Sequence, residues 1–492
     1  MVTCTRQGLF FLFIFIFIFI LSNSVEILEG HGGLKLQLIH RHDLHLKWRG
    51  SASPLERLRQ LVHSDTVRVR AISRKMRWRK EGEMGVSRRK IQEKNGYEPA
   101  CNNGSSGGGG ASVSGEVPMH SGADYGAGQY LVKLRVGSPA QKVVLIADTG
   151  SDLTWINCRY RCRGRRCSGD STHHRVFRAD RSSSFTTVPC SSSICKIDLA
   201  NLFSLASCPS PLDPCTYDYR YSDGSATMGL FAKETVTFRL SNGRKRRVQN
   251  VLVGCSESSL GQSLEAGDGV IGLGYSNYSL ALKTAHKFGG KFSYCLVDHL
   301  SPRNVSSYLI FGSHKHVNIS VMRMRYTELV LGVINPFYAV NIKGISIGGS
   351  MLQIPAETWN LNGTGGVIVD SGTSLTVLTQ PAYHPVMAAL NGSLQAFQRL
   401  DLDIGPLEYC FNSTAFNDTL VPRLEFHFVD GATFQPPVKS YVIDAAPGVK
   451  CLGFAPAASP GASVIGNIMQ QNHFWEFDIA NSRLGFATSS CI

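Results

Sequence analysis

Two aspartates sit in nearly the same short phrase, Asp148 in "VVLIADTGSDLTW" (143–155) and Asp370 in "GVIVDSGTSLTVL" (366–378), 222 positions apart. Each ends an apolar run. Each is followed by a small hydroxyl residue, a glycine, a second hydroxyl residue and, one position further on, Leu-Thr. A lone Asp-Ser/Thr-Gly is commonplace as a turn after a strand, so the duplication carries the information. A second marker recurs in the same order, Val270-Ile271-Gly272 after the first phrase and Val464-Ile465-Gly466 after the second. Two recurring markers predict two related halves, each contributing one carboxyl group. If the halves face each other about a two-fold axis, the carboxyls meet at its centre. Two carboxylates in hydrogen-bond contact cannot both ionise cheaply, so they share a proton, and one serves as general base while the other serves as general acid. A water between them can then attack an amide carbonyl without a metal or a covalent intermediate. The singly protonated pair predominates in acid.

The elements that must hold such a pair read as strands. From about Gln129, "QYLVKLRVG", "KVVLIAD", "KETVTFRL", "RRVQNVLVGC", "FYAVNIKGISIGG" and "RLEFHFVDG" are short runs rich in Val, Ile, Phe and Tyr, separated by Gly, Pro and Asn. That is the chemistry of a mainly β fold. Helical patterns are few, and the best is "TQPAYHPVMAALNGSL" after the second phrase.

Ahead of the strands the 492-residue chain reads as a succession of processing segments. Leu9 to Leu21 is an unbroken apolar run of 13 residues, short of the ~20 that cross a bilayer. It ends in "SNS", and a cleaved signal peptide over 1–24 is the expectation, with a signal anchor as the alternative. No second long apolar run follows, and "LGFATSSCI" lacks the hydrophobic tail of a lipid anchor. Residues 25–98 look detachable: Ser53-Pro54 opens a predicted helix that places Leu55, Leu58, Leu61 and Val62 on one face. A basic stretch follows with Arg77, Arg79, Lys80 and "RRK" at 88–90. "NNGSSGGGGASVSG", 102–115, then has too little apolar content to fold and reads as a linker. A pro-segment and linker over 25–118 fit this order. The net charge of +14 follows the same division, since residues 1–119 hold 18 Lys/Arg against 10 Asp/Glu.

Of 14 cysteines, Cys4 lies in the leader and Cys101 in the linker, which leaves 12 from Cys158 to Cys491. In a chain routed to an oxidising compartment, six disulfides of unspecified connectivity are expected. Seven sequons, at Asn277, Asn304, Asn318, Asn362, Asn391, Asn412 and Asn417, agree with that route and predict N-linked glycans. "CRYRCRGRRC", 158–167, has C-x3-C-x4-C spacing, which is not that of a zinc site. Its five arginines read as a solvated loop.

At these residues the sequence resembles the pepsin-like family of aspartic peptidases over about 125–492. The resemblance implies a bilobal fold with pseudo-two-fold related lobes, here 119–325 and 326–492, and an acid endopeptidase whose catalytic pair is Asp148 and Asp370. "YRYSDGSATMG", 219–229, resembles the flap hairpin and puts its substrate-covering tyrosine at Tyr221. Trp155 matches the tryptophan that supports it. Ser151 and Thr373 match the hydroxyls flanking the pair, with Thr149 and Ser371 supporting and Gly150 and Gly372 beside the substrate. More narrowly, "DRSSSFTTVPCSSSIC" (180–195), the seven cysteines from Cys158 to Cys215 and "LQLIHRHD" (36–43) resemble the plant nepenthesin-type branch. The resemblance further implies a secreted monomer of the apoplast or vacuole that acts on polypeptides. It would be held in check by its own pro-segment, and it would need no cofactor, metal, nucleic acid or membrane anchor. Two alternatives stand beside it. One is a catalytically silent binding protein like the glycosidase inhibitors that share this fold. The other is a chloroplast DNA-associated protease that uses the basic N-terminal segment.

Overall fold

The computed structural model describes residues 115–491 apart from 122–127, 161–175, 201–207, 209, 222–223, 241–243, 299–306, 313–322 and 364, and, ahead of them, thirteen helical positions between 55 and 73. The expected signal peptide, "LQLIHRHD", the basic stretch after position 73, the glycine-rich linker up to 114 and most of "CRYRCRGRRC" lie outside the described residues.

The protein is mostly β, with two lobes. Twenty of the described strands are linked in one sheet, and two further sheets of four strands complete the second lobe. The related halves appear as the same local construction made twice. In the first lobe the strand Gln141–Asp148 runs parallel to Gly269–Gly272, with Ile146 opposite Val270 and Asp148 opposite Gly272. In the second, Val367–Val369 runs parallel to Ser463–Ile465, with Val369 opposite Ile465. Each Val-Ile-Gly triplet therefore flanks the strand that ends in an aspartate. Val143 to Asp148 and Val367 to Asp370 are buried without alternation, as expected of strands covered on both faces. An apolar strand with both faces covered is a rigid support, and the Asp-Ser/Thr-Gly turns sit on two such supports. Gly466 is required by close packing, because a Cβ there would stand 2.1 Å from the carbonyl oxygen of Leu375 in the second turn.

Between the lobes the sheet is continuous. Lys291–Cys295 pairs with His473–Asp478 on one side and with Ser307–Phe311 on the other, and Gly115–Ser121 pairs with Ser307–Phe311. Phe292 stacks on Phe477 at 4.8 Å between ring centroids, and Tyr338 meets Phe477 edge-on at the same distance. One apolar cluster thus includes strands of both lobes. The strand Gly115–Ser121 begins at the last residue of the glycine-rich stretch, where the composition turns to "EVPMHS". The helix expected after the second phrase is present as Gln380–Leu394 and buries Ala382, Tyr383, Val386, Leu390 and Leu394.

Ten of the twelve cysteines form five disulfides: Cys158–Cys255, Cys190–Cys208, Cys195–Cys215, Cys295–Cys491 and Cys410–Cys451. The expected sixth pair would fall on Cys162 and Cys167, which lie outside the described residues. Among the sequons, Asn277, Asn362 and Asn417 are exposed and Asn391 and Asn412 half-buried, while Asn304 and Asn318 lie outside the described residues.

Candidate active site

The two aspartate turns lock onto each other through reciprocal hydrogen bonds. The amide of Thr149 donates to Ser371 Oγ at 3.1 Å, and the amide of Ser371 donates to Thr149 Oγ1 at 2.9 Å. Ser371 Oγ in turn donates to the carbonyl of Ala147 at 3.0 Å. Small hydroxyl side chains suit this place because each must accept from an amide across the axis at close range. Each carboxylate is then held by its own turn in a matching way. Gly150 N donates to Asp148 Oδ1 at 2.8 Å and Ser151 Oγ to Oδ2 at 2.5 Å. Gly372 N donates to Asp370 Oδ1 at 3.0 Å and Thr373 Oγ1 to Oδ2 at 2.6 Å. The structure therefore brings Asp148, Thr149, Gly150, Ser151, Asp370, Ser371, Gly372 and Thr373 into one cluster, as the spacing of the two phrases predicts.

Between the carboxylates lies a third charged group. The described residues between 55 and 73 are helical, and Arg68 on that helix reaches both aspartates. Its Nη2 is 2.7 Å from Asp148 Oδ1 and 2.9 Å from Asp370 Oδ2. Nη1 donates to Asp148 Oδ2 at 3.2 Å and Nε to Asp370 Oδ2 at 2.9 Å. One nitrogen thus touches both carboxyls. Burial pushes the Asp148 carboxyl up, but the charge of Arg68 and the hydrogen bonds from Arg68, Ser151 and Gly150 outweigh it and hold the group below the ordinary range. Burial also pushes Asp370 up. The Arg68 charge pulls it down, the adjacent Asp148 pushes it up again, and the balance stays above the ordinary range.

The same helix makes a second polar anchor one turn earlier. Asp65, itself buried, accepts from the amide of Ser374 at 3.0 Å and from that of Leu375 at 2.6 Å, just beyond the second aspartate turn. Burial pushes its carboxyl up to about 7, against the downward pull of those two amides and of Arg68. Around these anchors the helix is fastened by apolar contacts. Leu58, Val62, Val69 and Ile72 are buried in a cluster with Ile334, Phe337, Ile404 and Ile468 of the second lobe. Leu58 and Val62 belong to the apolar face expected from the sequence, Leu55 is partly buried against the cluster, and Leu61 lies outside the described residues.

Above the cleft, Thr216–Arg220 and Ala226–Arg239 form an antiparallel hairpin with Arg220 opposite Ala226. Tyr221 N donates to the carbonyl of Ser225 at 2.8 Å, and Gly224 adopts φ +84°, which glycine tolerates without strain. The Tyr221 hydroxyl accepts from Trp155 Nε1 at 2.5 Å. Tyr219 meets Tyr221 edge-on at 4.9 Å. The pairing of Trp155 with Tyr221 across 66 positions joins two residues that the sequence singled out separately.

Other supports carried no recognisable sequence signal. Gln470 Nε2 donates to the carbonyls of Ile465 (2.7 Å) and Asp370 (3.2 Å), and Asn467 Nδ2 donates to those of Gly128 (2.7 Å) and Ser371 (3.0 Å). Both satisfy backbone oxygens behind the second turn. Arg68 and Asp65 were also not singled out. Their only trace is a charged pair three residues apart between Val62 and Val69, both of which face the protein.

Comparison with known proteins agrees with this geometry. A family model described as "Xylanase inhibitor N-terminal" matches residues 130–313, and one described as "Xylanase inhibitor C-terminal" matches 337–488. The chain is 37% identical over 377 residues to Aspartyl protease family protein 2 of Arabidopsis thaliana, which covers 75% of this chain and 73% of that one. It is 34% identical over 380 residues to Aspartic proteinase nepenthesin-2 of Nepenthes gracilis, covering 76% and 80% respectively. Among solved structures, it resembles basic 7S globulin from soybean (TM-score 0.59, 21% identity, 77% of this chain and 95% of that one) and edgp (TM-score 0.62, 21% identity, 76% and 95%). Those two are likenesses of fold.

The crossing of the turns has a direct test. A Cβ on Gly372 would stand 2.2 Å from Asp148 Oδ1 and 2.6 Å from Arg68 Nη2. Gly372→Ala is expected to force the carboxylates apart and to cost about 1–3 kcal/mol of stability, the usual penalty for overfilling a packed site. Denaturant unfolding checks it, and a variant as stable as the parent would contradict the close approach.

Proposed function

The chain belongs to the pepsin-like family of aspartic peptidases, in its nepenthesin-type branch, and from that premise we propose that it is a secreted acid endopeptidase made as a latent precursor. One observation carries this reading: Asp148 and Asp370 are both in contact with the same nitrogen of Arg68. Two carboxyls that share one nitrogen can share one water once that nitrogen is withdrawn. In the working state a single proton is held between them. The ionised carboxyl removes a proton from the water as its oxygen bonds to the amide carbon, and the protonated carboxyl donates to the carbonyl oxygen. The first carboxyl then passes the water's proton to the amide nitrogen while the second takes a proton back from a hydroxyl of the tetrahedral intermediate. The C–N bond breaks to give a carboxylic acid and an amine, and the pair ends as it began. Tyr221, held by Trp155, closes over the substrate from the flap side.

Arg68 explains latency in the same terms. With the guanidinium in place the one positive charge between the two acids is an arginine's instead of a proton's, and water has no place between them. Leu58, Val62, Val69 and Ile72 meanwhile occupy apolar surface beside the cleft. The relatives named as aspartic proteases and the intact Trp155–Tyr221 pair favour an enzyme over a silent binding protein. Secretion and N-glycosylation are supported by the five disulfides and the exposed sequons.

The pH dependence of release has two opposed parts. Arg68 holds the Asp148 carboxyl below its ordinary range only while the helix is closed, so protons bind more readily to the open form. That contribution to closure is lost as pH falls. Asp65 has the opposite sign. Its carboxyl is at about 7 when closed and at the ordinary 3.8 in solvent, so the closed form takes up a proton between those values and gains stability as pH falls through them. Release is therefore confined to pH values at which the Asp148–Asp370 pair itself is protonated.

Three outcomes are expected. Asp148→Asn or Asp370→Asn reduces hydrolysis of denatured globin at pH 3–5 by at least ~10²–10⁴-fold, the usual share of general acid–base catalysis. Undiminished, pepstatin-insensitive cleavage by either variant would refute the peptidase reading. Arg68→Ala leaves two buried carboxylates without their cation, a loss of about 3–5 kcal/mol in the closed state. The unprocessed variant should cleave globin at pH 5 while the unprocessed parent stays silent, with Arg68→Lys in between. Asp65→Asn, which mimics the neutral acid, should leave the acid threshold of activation where it is. At pH 7 it should slow opening at least ~10-fold, read as slower amide hydrogen exchange over residues 55–73, and faster exchange would reverse the sign assigned to Asp65.

A further inference from the structure

Positive charge not used by the peptidase reading is concentrated at one end of the first lobe. Four neighbouring strands bring it there: Gln141–Asp148, Tyr130–Val136, Ala226–Arg239 and Lys245–Leu260. Their register sets Lys142 opposite Arg135, Arg135 opposite Thr237, and Thr237 opposite Arg247. Residues directly opposite one another on antiparallel strands share a face. Lys142, Arg135 and Arg247 therefore lie in one row across the sheet, with ~4.8 Å from strand to strand. Lys245, two residues before Arg247, extends the same face. Lys142, Lys245 and Arg247 are exposed and Arg135 is half-buried, while Val136, Val236 and Val248 on the alternate positions fill the core behind them. Arg246, opposite Phe238, lies on the other face of the same hairpin. Lys287 of the helix Leu280–Phe288 is held below its ordinary range by partial burial and then by the like charges of Arg246 and Lys283.

Lys142 and Arg135 are like charges set directly opposite, which destabilises a bare sheet, and Arg247 lies one strand further on, beyond the buried Thr237. Among the described residues, Lys142, Arg135, Arg247, Lys245, Arg246, Lys283 and Lys287 form no ion pair with a carboxylate. Asp180, on the loop bonded to Gln141 through the carbonyl of Arg178, is occupied by Arg178 Nε and Nη2. The row is a repulsive arrangement that an anion would relieve. Its form indicates a polymer: it is a flat line across strands, not a pocket. Among the described residues of this lobe, none of the exposed large apolar side chains is aromatic, which argues against the stacking platform that single-stranded nucleic acids use. The polymer's identity rests on the proposed secreted reading, which the disulfides fit, and in an oxidising extracellular compartment acidic polysaccharides are extended polyanions. No sequon falls on the four strands.

We infer that this basic row binds an extended acidic polysaccharide, a chain of uronate sugars whose carboxylates lie along Lys142, Arg135 and Arg247. Lys142 lies six residues before Asp148 on the same strand, about 20 Å away. Binding therefore tethers the protein and leaves the cleft open to its substrate.

Retention of the full chain on immobilised polygalacturonate tests the inference, with the fully methyl-esterified polymer as the neutral counterpart. The parent is expected to bind the acidic polymer at near-physiological salt and not the ester. Lys142→Glu with Arg247→Glu should weaken binding several-fold and lower the eluting salt, with thermal midpoint and cleavage of a small soluble peptide unchanged. Lys142→Gln with Arg247→Gln should fall between, and Lys343→Glu, exposed on the second lobe, should behave as the parent. The inference is overturned if the parent is not retained, if the double reversal elutes with the parent, or if DNA retains the parent more strongly at equal salt.

Discussion

Two buried acids in contact require one positive charge between them, and much of this molecule can be understood as arrangements for supplying it. In the closed state the charge is the Arg68 guanidinium, with bonds to both acids. In the proposed working state it is a proton. Both leave the pair with the same net charge, which is why an arginine can replace the proton so closely. Burial makes the requirement strict: with Asp148 and Asp370 removed from solvent, neither can be left ionised beside the other without compensation.

The geometry that imposes this requirement comes from the strands. Two apolar strands buried on both faces end at the same level, and the turns that follow exchange hydrogen bonds through Thr149 and Ser371. The hydroxyl side chains do what a continuous backbone would otherwise have to do, carrying the join from one lobe to the other at the point of closest approach. Because each lobe also anchors its own carboxylate through a glycine amide and a hydroxyl, displacement of one lobe would disturb both acids together.

The sequence reveals this centre well because its signal is local and occurs twice. Seven-residue phrases with an apolar run before them fix a turn, and repetition fixes the partner. The bond between Trp155 and Tyr221 followed from the resemblance, and the helix Gln380–Leu394 from its own pattern. Less legible were groups whose partners are distant and whose types are ordinary. Nothing in "HSDTVRVR" says that Arg68 meets an acid 302 positions later, since a 3.6-residue period identifies a face and not what that face touches. Asn467 and Gln470 were hidden for a related reason, as they bind backbone oxygens and any surface amide looks the same in sequence. Disulfide connectivity was unreadable because spacing does not determine which chains cross.

Cys295 and Cys491 are joined across 196 positions, and the strand that carries Cys295 pairs with the last strands of the second lobe. Every residue of that lobe from 326 to 491 lies inside the covalent ring so formed. A single internal cut anywhere between these two cysteines would yield two chains but not two particles, since the bridge and the shared sheet would keep the pieces together. A copy nicked once in a surface loop of the second lobe would thus still hold both acids at one cleft.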